Sequence, residues 1–213
     1  MNEEEQLEQA LIYRKQGNYD EAVDIYENML QHGYASFHVY MGYGKALYFQ
    51  YDDLEKSAQM FEKALEIRPH DEESMLCQAM LYNIGYGKGY KEAGVVYQAI
   101  YEQNPMCIAA YEGMAMNYGC PGVVMEKHDY ITYLSIVVEW LPNNIQAKLN
   151  LVSGYLIIRK PEISLEILND IKKSMDKNDR YYQYVIKKID YINNSTEMVL
   201  MPFVWSVCAI TNT

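Results

Sequence analysis

Apolar side chains recur three and four positions apart along most of the chain. The segments QLEQALIYRKQ, YMGYGKALYFQ, MLCQAMLYNIG, AAYEGMAMNYG and KLNLVSGYLII each gather them on one helix face. A short break follows each segment, and a second helical pattern follows the break, so the order predicted is helix, turn, helix, repeated. Pro69, Pro105 and Pro142 fall at successive ends of this pattern, where a residue without a backbone N–H stops a helix.

The second segments are copies of one another. In RKQGNYDEAVDIYENML, Tyr19 leads to Ala22 and then Tyr26; in GYKEAGVVYQAIYEQNP, Tyr90 leads to Ala93 and then Tyr97. LEKSAQMFEKALEIRP sets Leu54, Ser57, Phe61, Ala64 and Pro69 at matching places. A small side chain lets two helix axes approach, and a large one a turn later fills the groove beside it. Gly17 makes the turn, and Tyr13, Tyr82 and Tyr155 on the first helices face the same seam. The many tyrosines are therefore read mainly as packing residues.

This grammar resembles the tetratricopeptide repeat family, whose unit is a helical hairpin with small residues at the helix crossing. The small position is Ala22, Ser57, Ala93 and Ser164, and the large one is Tyr26, Phe61, Tyr97 and Leu168. The resemblance implies an all-α, right-handed superhelical solenoid of antiparallel helix-turn-helix repeats in one domain. Repeats are expected at approximately 3–36, 37–70, 71–106, 107–144 and 145–178, with a capping helix and an apolar tail over 179–213. Three places depart from the pattern. The turns FQYDDLE and GYGKGYK are lengthened, and the fourth unit has Tyr130 where the small residue belongs and CPG at 120–122 as its break.

Charge and residue chemistry narrow the function. Net charge is −11, carried almost wholly by residues 1–105, which disfavours binding a phosphate backbone and with it nucleic acid. Glu3, Glu4, Glu5 and Glu8 suit the positive end of a helix. Cys77, Cys107, Cys120 and Cys208 match no zinc or CxxC spacing, and none of His32, His38, His70 and His128 has another histidine or a cysteine one turn away. No metal or cofactor is expected, and no enzyme, since no nucleophile stands beside a base. GYGKGY at 85–90 lacks the spacing of a phosphate loop and follows a helix, so it is expected to be a turn. The thiols and an acidic N-terminus without an apolar leader point to a cytoplasmic protein. EMVLMPFVWSVCAI at 197–210 is too short for a membrane span of roughly 20 residues, and Pro202 interrupts it. It is expected to cover the last hairpin or enter the groove.

The family resemblance further implies that first helices line a concave binding surface. Its lining would be Leu7, Leu11 and Arg14; Met41, Lys45, Tyr48 and Phe49; Leu76, Met80 and Asn83; Met114, Asn117 and Tyr118; and Ser153. Adaptable methionines suit a protein or peptide partner with apolar anchors, with Asn83 and Asn117 meeting its backbone. The basic clamp that family members use for acidic chaperone tails is missing, since Leu7, Leu11, Gly42, Glu73 and Cys77 occupy its positions. The expected function is a non-enzymatic adaptor binding an apolar or amphipathic segment, with a secretion-type chaperone or peptide-sensing regulator as the alternative.

Overall fold

A computed structural model describes residues 2–50, 53–179 and 181–194. Among them are eleven helices and no strand: α1 (Glu3–Gln16), α2 (Tyr19–Gln31), α3 (Phe37–Gln50), α4 (Leu54–Ile67), α5 (Glu72–Asn83), α6 (Tyr90–Gln103), α7 (Ile108–Met116), α8 (Lys127–Trp140), α9 (Ile145–Ile157), α10 (Pro161–Ser174) and α11 (Tyr182–Asn194). Side-chain caps start several of them. Asn2 and Glu5 form a reciprocal capping box, and Asp53, Asp71 and Asn144 each accept a backbone N–H of the first turn. Pro69, Pro105 and Pro142 lie just past the ends of α4, α6 and α8, as the sequence predicts. GYGKGY joins α5 to α6 as a turn in which Gly85 and Gly87 are both left-handed.

The chain forms two compact units, with the boundary inside α7. Unit one holds residues 2–113 with 120–123, and unit two holds 114–119 and 124–194.

In unit one the small crossing residues Ala22, Ser57 and Ala93 are fully buried. Ser57 also donates its hydroxyl to the carbonyl of Gly44 at 2.8 Å, which ties α4 to α3 and satisfies a buried polar group. The large residues behave in two ways. Phe61 lies against Gly44 of its own hairpin, whereas Tyr26 and Tyr97 lie against glycines of the following first helix, Gly42 and Gly113. A Cβ at Gly42 would stand 2.5 Å from Tyr26 Cζ, and one at Gly113 would stand 2.6 Å from Tyr97 Cε2. The aromatic that sequence reasoning assigned to its own hairpin thus also locks that hairpin to the next, and a glycine makes the space.

A polar seam runs beside this packing. The Tyr43 hydroxyl donates to Glu27, as does Lys56 Nζ at 2.6 Å, and Lys56 also sits 5.1 Å above the Tyr43 ring. Hydrogen bonds from Lys56 and then Tyr43 hold the Glu27 carboxyl below its ordinary value. Burial, helped by Glu27, pushes the Tyr43 phenol up to about 12. A carboxyl lowered on folding stabilises above its unfolded value of about 4.3, and that contribution is lost as pH falls through the lower folded value. The phenol's contribution is present below about 10 and is lost as pH rises toward about 12. Glu27→Gln is therefore expected to melt below wild type at pH 7 and to converge with it on acidification to about pH 3. Melting curves by circular dichroism across that range check it; a gap that stays constant contradicts the seam's role.

In unit two, Leu149 and Val152 of α9, Leu168 and Ile171 of α10 and Val185 of α11 form one core. Ser164 repeats the crossing seen in unit one, donating to the Val152 carbonyl at 3.0 Å. Tyr130, the bulky residue at a small-residue position, is buried by two devices. Its ring stacks on Tyr118 at 4.3 Å and 6°, and Gly154 on α9 leaves room for Leu134 and Ile131 beside it. The fourth hairpin is irregular, with a short α7 and the long connection 117–126. After residue 179 the described chain has one helix, α11, which packs on α10. The apolar segment 197–210 and Cys208 lie outside the described residues. Among the described residues no helix is long and apolar enough to cross a membrane, and no cluster of His, Cys, Asp and Glu could hold a metal.

Candidate protein-binding surface

In unit one α1 packs on α3, and side chains one repeat apart link α3 to α5. Lys45 of α3 pairs with Glu73 of α5, and the hydroxyl of Ser74 lies 2.9 Å from Met41 Sδ and 2.6 Å from Asp71 Oδ1. Lys45 is only 3% exposed and Arg14 4%. A buried cation is costly without a counter-charge, and for Lys45 Glu73 supplies it from the more exposed side. Burial pushes the neighbouring Cys77 thiol up to about 12, a rise that the Lys45 and Arg14 charges partly offset. Cys77 is thus an inert core thiol at neutral pH.

The expected lining residues separate by exposure. Arg14, Met41, Lys45 and Tyr48 are buried, and Met41 and Tyr48 belong to a cluster with Phe37, Phe61, Cys77 and Leu81. Leu7, Leu11, Phe49, Leu76 and Met80 keep part of their surface, and Phe49 and Met80 pack on that same cluster. Phe49 is held in place by stacking on Tyr19 at 5.7 Å and by an edge contact with Tyr48 at 5.4 Å. Leu76, Met80 and Asn83 follow one another at helical spacing along one stripe of α5.

Asn83 ends that stripe. Its Nδ2 donates to the Tyr97 hydroxyl at 3.1 Å, which orients the amide. Its Oδ1 is buried and has no hydrogen-bond partner among the described residues, although the side chain as a whole is 8% exposed. An acceptor desolvated without a partner costs about 1–3 kcal/mol, so such groups call for an explanation.

The remaining expected residues belong to unit two. Met114 and Asn117 are buried there, Tyr118 is spent on stacking with Tyr130, and the Ser153 hydroxyl bonds back to the carbonyl of Leu149 at 3.2 Å. Sequence reasoning missed two side-chain pairings. Glu73 was read only as standing where a basic clamp residue would, yet it neutralises Lys45; Tyr97 was read only as a packing residue, yet it fixes Asn83. These pairs lie 28 and 14 residues apart, beyond any rule for neighbours on one helix, though the repeat register would have brought them together.

Hairpins in series, most with a small crossing residue and a large filler one turn later, define an α-helical repeat protein. Models of the tetratricopeptide repeat family match residues 7–35 and 37–71, so the chain carries tetratricopeptide repeats there. No curated protein matches it. Among solved structures it is similar in fold to a tetratricopeptide repeat protein from Parabacteroides merdae, at 14% identity and a TM-score of 0.64, covering 89% of this chain and 83% of that one. It is similar also to MamA AMB-1, at 16% identity and a TM-score of 0.65, covering 80% of this chain and 92% of that one. A further MamA structure matches at 15% identity and a TM-score of 0.63, covering 92% and 96%. Repeats of this family serve as protein–protein interaction scaffolds, and that coarse function belongs to this chain.

Proposed function

We propose that the α1/α3/α5 face of unit one binds an apolar or amphipathic segment of another protein, as a non-enzymatic, cytoplasmic adaptor. Leu7, Leu11, Phe49, Leu76 and Met80 receive the apolar side chains. Lys45 and Arg14 stiffen the floor beneath them, and Asn83, whose Oδ1 is covered in the free protein, turns outward to accept a backbone N–H of the bound segment. The single observation that carries this is that buried, oriented and unsatisfied acceptor at the end of a partly exposed apolar stripe. A partner's N–H would remove the cost of leaving it unmade.

A selection of displayed peptides on the purified chain tests it. Apolar-rich segments are expected to be enriched, and Asn83→Ala should weaken the best of them by about 3- to 10-fold, the worth of one hydrogen bond. Selected peptides that bind Asn83→Ala as tightly as wild type, or no enrichment at all, would sink the proposal. Asn83→Ala also loses the bond to Tyr97, so its melting temperature is measured in parallel.

A further inference from the structure

Asn83 and Tyr97 join the partly exposed stripe of α5 to Gly113 of α7, and the bond between them is one that binding would disturb. Asn83 ends the stripe that carries Leu76 and Met80, and its Nδ2 donates to the Tyr97 hydroxyl of α6 at 3.1 Å. The Tyr97 ring in turn lies against Gly113, so closely that a Cβ there would collide with Cζ, the carbon that bears the hydroxyl. The same seat is built in the first hairpin. Arg14 of α1 lies near enough to Tyr26 of α2 that its charge partly offsets the rise burial gives the phenol, and the Tyr26 ring lies against Gly42 of α3. In both hairpins a residue from the last turn of the first helix meets the aromatic that packs on a glycine of the next first helix.

The two seats differ in what the first-helix residue can do. Arg14 is long and enclosed in the floor. Asn83 is short, stands at the final residue of α5 and is met on one side of its amide: Nδ2 has Tyr97, whereas Oδ1 is buried without a hydrogen-bond partner among the described residues. Turned outward, the amide offers Oδ1 to a partner's N–H and Nδ2 to water, and gives up Tyr97. We infer that Asn83 is a latch: a bound segment draws its amide off the Tyr97 hydroxyl, so that occupancy of the α5 stripe is reported at Gly113. The latch rests on the binding face proposed above, since an empty face leaves the amide where it is. α6 meets α7 through Tyr97 on Gly113 and, one turn on, through Tyr101 edge-on to Tyr111 at 5.5 Å, so the released hydroxyl belongs to one of two neighbouring ring contacts. Coupling of this kind is reciprocal: weakening the bond from Asn83 to Tyr97 strengthens binding by the same factor.

Titration of a selected peptide against wild type and Tyr97→Phe tests it, because phenylalanine keeps the ring beside Gly113 and removes the hydroxyl. Tyr97→Phe is expected to bind about 3- to 10-fold tighter, the worth of the one hydrogen bond that binding no longer breaks. Equal or weaker binding by a folded Tyr97→Phe overturns the latch. Carbon-13 labelling of tyrosine Cζ supplies a second measurement, on the wild-type chain. The Tyr97 resonance, assigned by triple-resonance methods, is expected to shift when wild type is saturated with peptide. In Asn83→Ala, where the bond is already gone, it should stay in place as peptide is added. A Tyr97 resonance that bound peptide leaves unmoved in wild type overturns the latch. If Asn83→Ala binds as tightly as wild type, the face itself falls and the latch with it. If Asn83→Ala weakens binding while Tyr97→Phe does not tighten it, the latch alone falls.

Discussion

Gly42→Ala is expected to destabilise the chain by about 2–3 kcal/mol, the upper range for overpacking a filled core. In an exposed helix the same change would stabilise by up to about 1 kcal/mol, so the sign itself is diagnostic. The cause is the fully enclosed Tyr26 ring. An added methyl carbon would meet its Cζ at 2.5 Å and its Cε1 at 2.8 Å, and a ring 2% exposed has nowhere to turn. For a chain of this size the loss lowers the melting temperature by roughly 4–12 °C. Tyr26→Leu makes room, so the double variant should recover part of the loss, a coupling of the kind seen between residues in contact. Gly113→Ala should repeat the result against Tyr97. Gly42→Ala melting at or above wild type would mean that Tyr26 does not lock the first hairpin to the second.

Met80→Glu should abolish capture of the bound segment while leaving the fold intact. Met80 is partly exposed at the middle of the α5 stripe, so a carboxylate there reaches water in the free protein. Once an apolar side chain covers it, the charge is desolvated without a partner, and central interface positions of this kind cost 2 kcal/mol or more, about 30-fold in affinity. Met80→Leu keeps the volume and the apolar character and is expected to bind within a few-fold of wild type. Titration of a selected peptide by fluorescence anisotropy measures both variants. Equal binding by Met80→Glu and wild type would place the interaction away from this face.

Much of the hairpin grammar was legible because it rests on local spacing. Ala22 with Tyr26, Ala93 with Tyr97, and prolines just beyond α4, α6 and α8 report short-range geometry that a repeat prints several times. What stayed hidden joins one repeat to another. Gly42 and Gly113 look like weak points inside helices until the aromatic facing each is known. Likewise Lys45 reads as a solvent-facing groove cation until Glu73, a repeat away, is seen to accompany it into the interior. Exposure is the other quantity that sequence periodicity renders poorly. Met41, Tyr48 and Met80 share the first-helix character that suggests a groove, yet Met41 and Tyr48 are sunk in the cluster around Phe61, and Met80 stays at its surface. Tyr130 was recognisable as an exception, but its remedy, stacking on Tyr118 across the 117–126 connection, depends on a loop whose path no pattern encodes.

Hydrogen exchange of the chain with and without a selected peptide tests the assignment of the binding face most directly, because it reports protection helix by helix within unit one. Binding is expected to slow exchange in α3 and α5, with the strongest effect toward the C-terminal turn of α5 that carries Asn83, and to leave the α2 and α4 amides unchanged. Protection confined to α2, α4 or α6, with α3 and α5 exchanging as in the free protein, would contradict it.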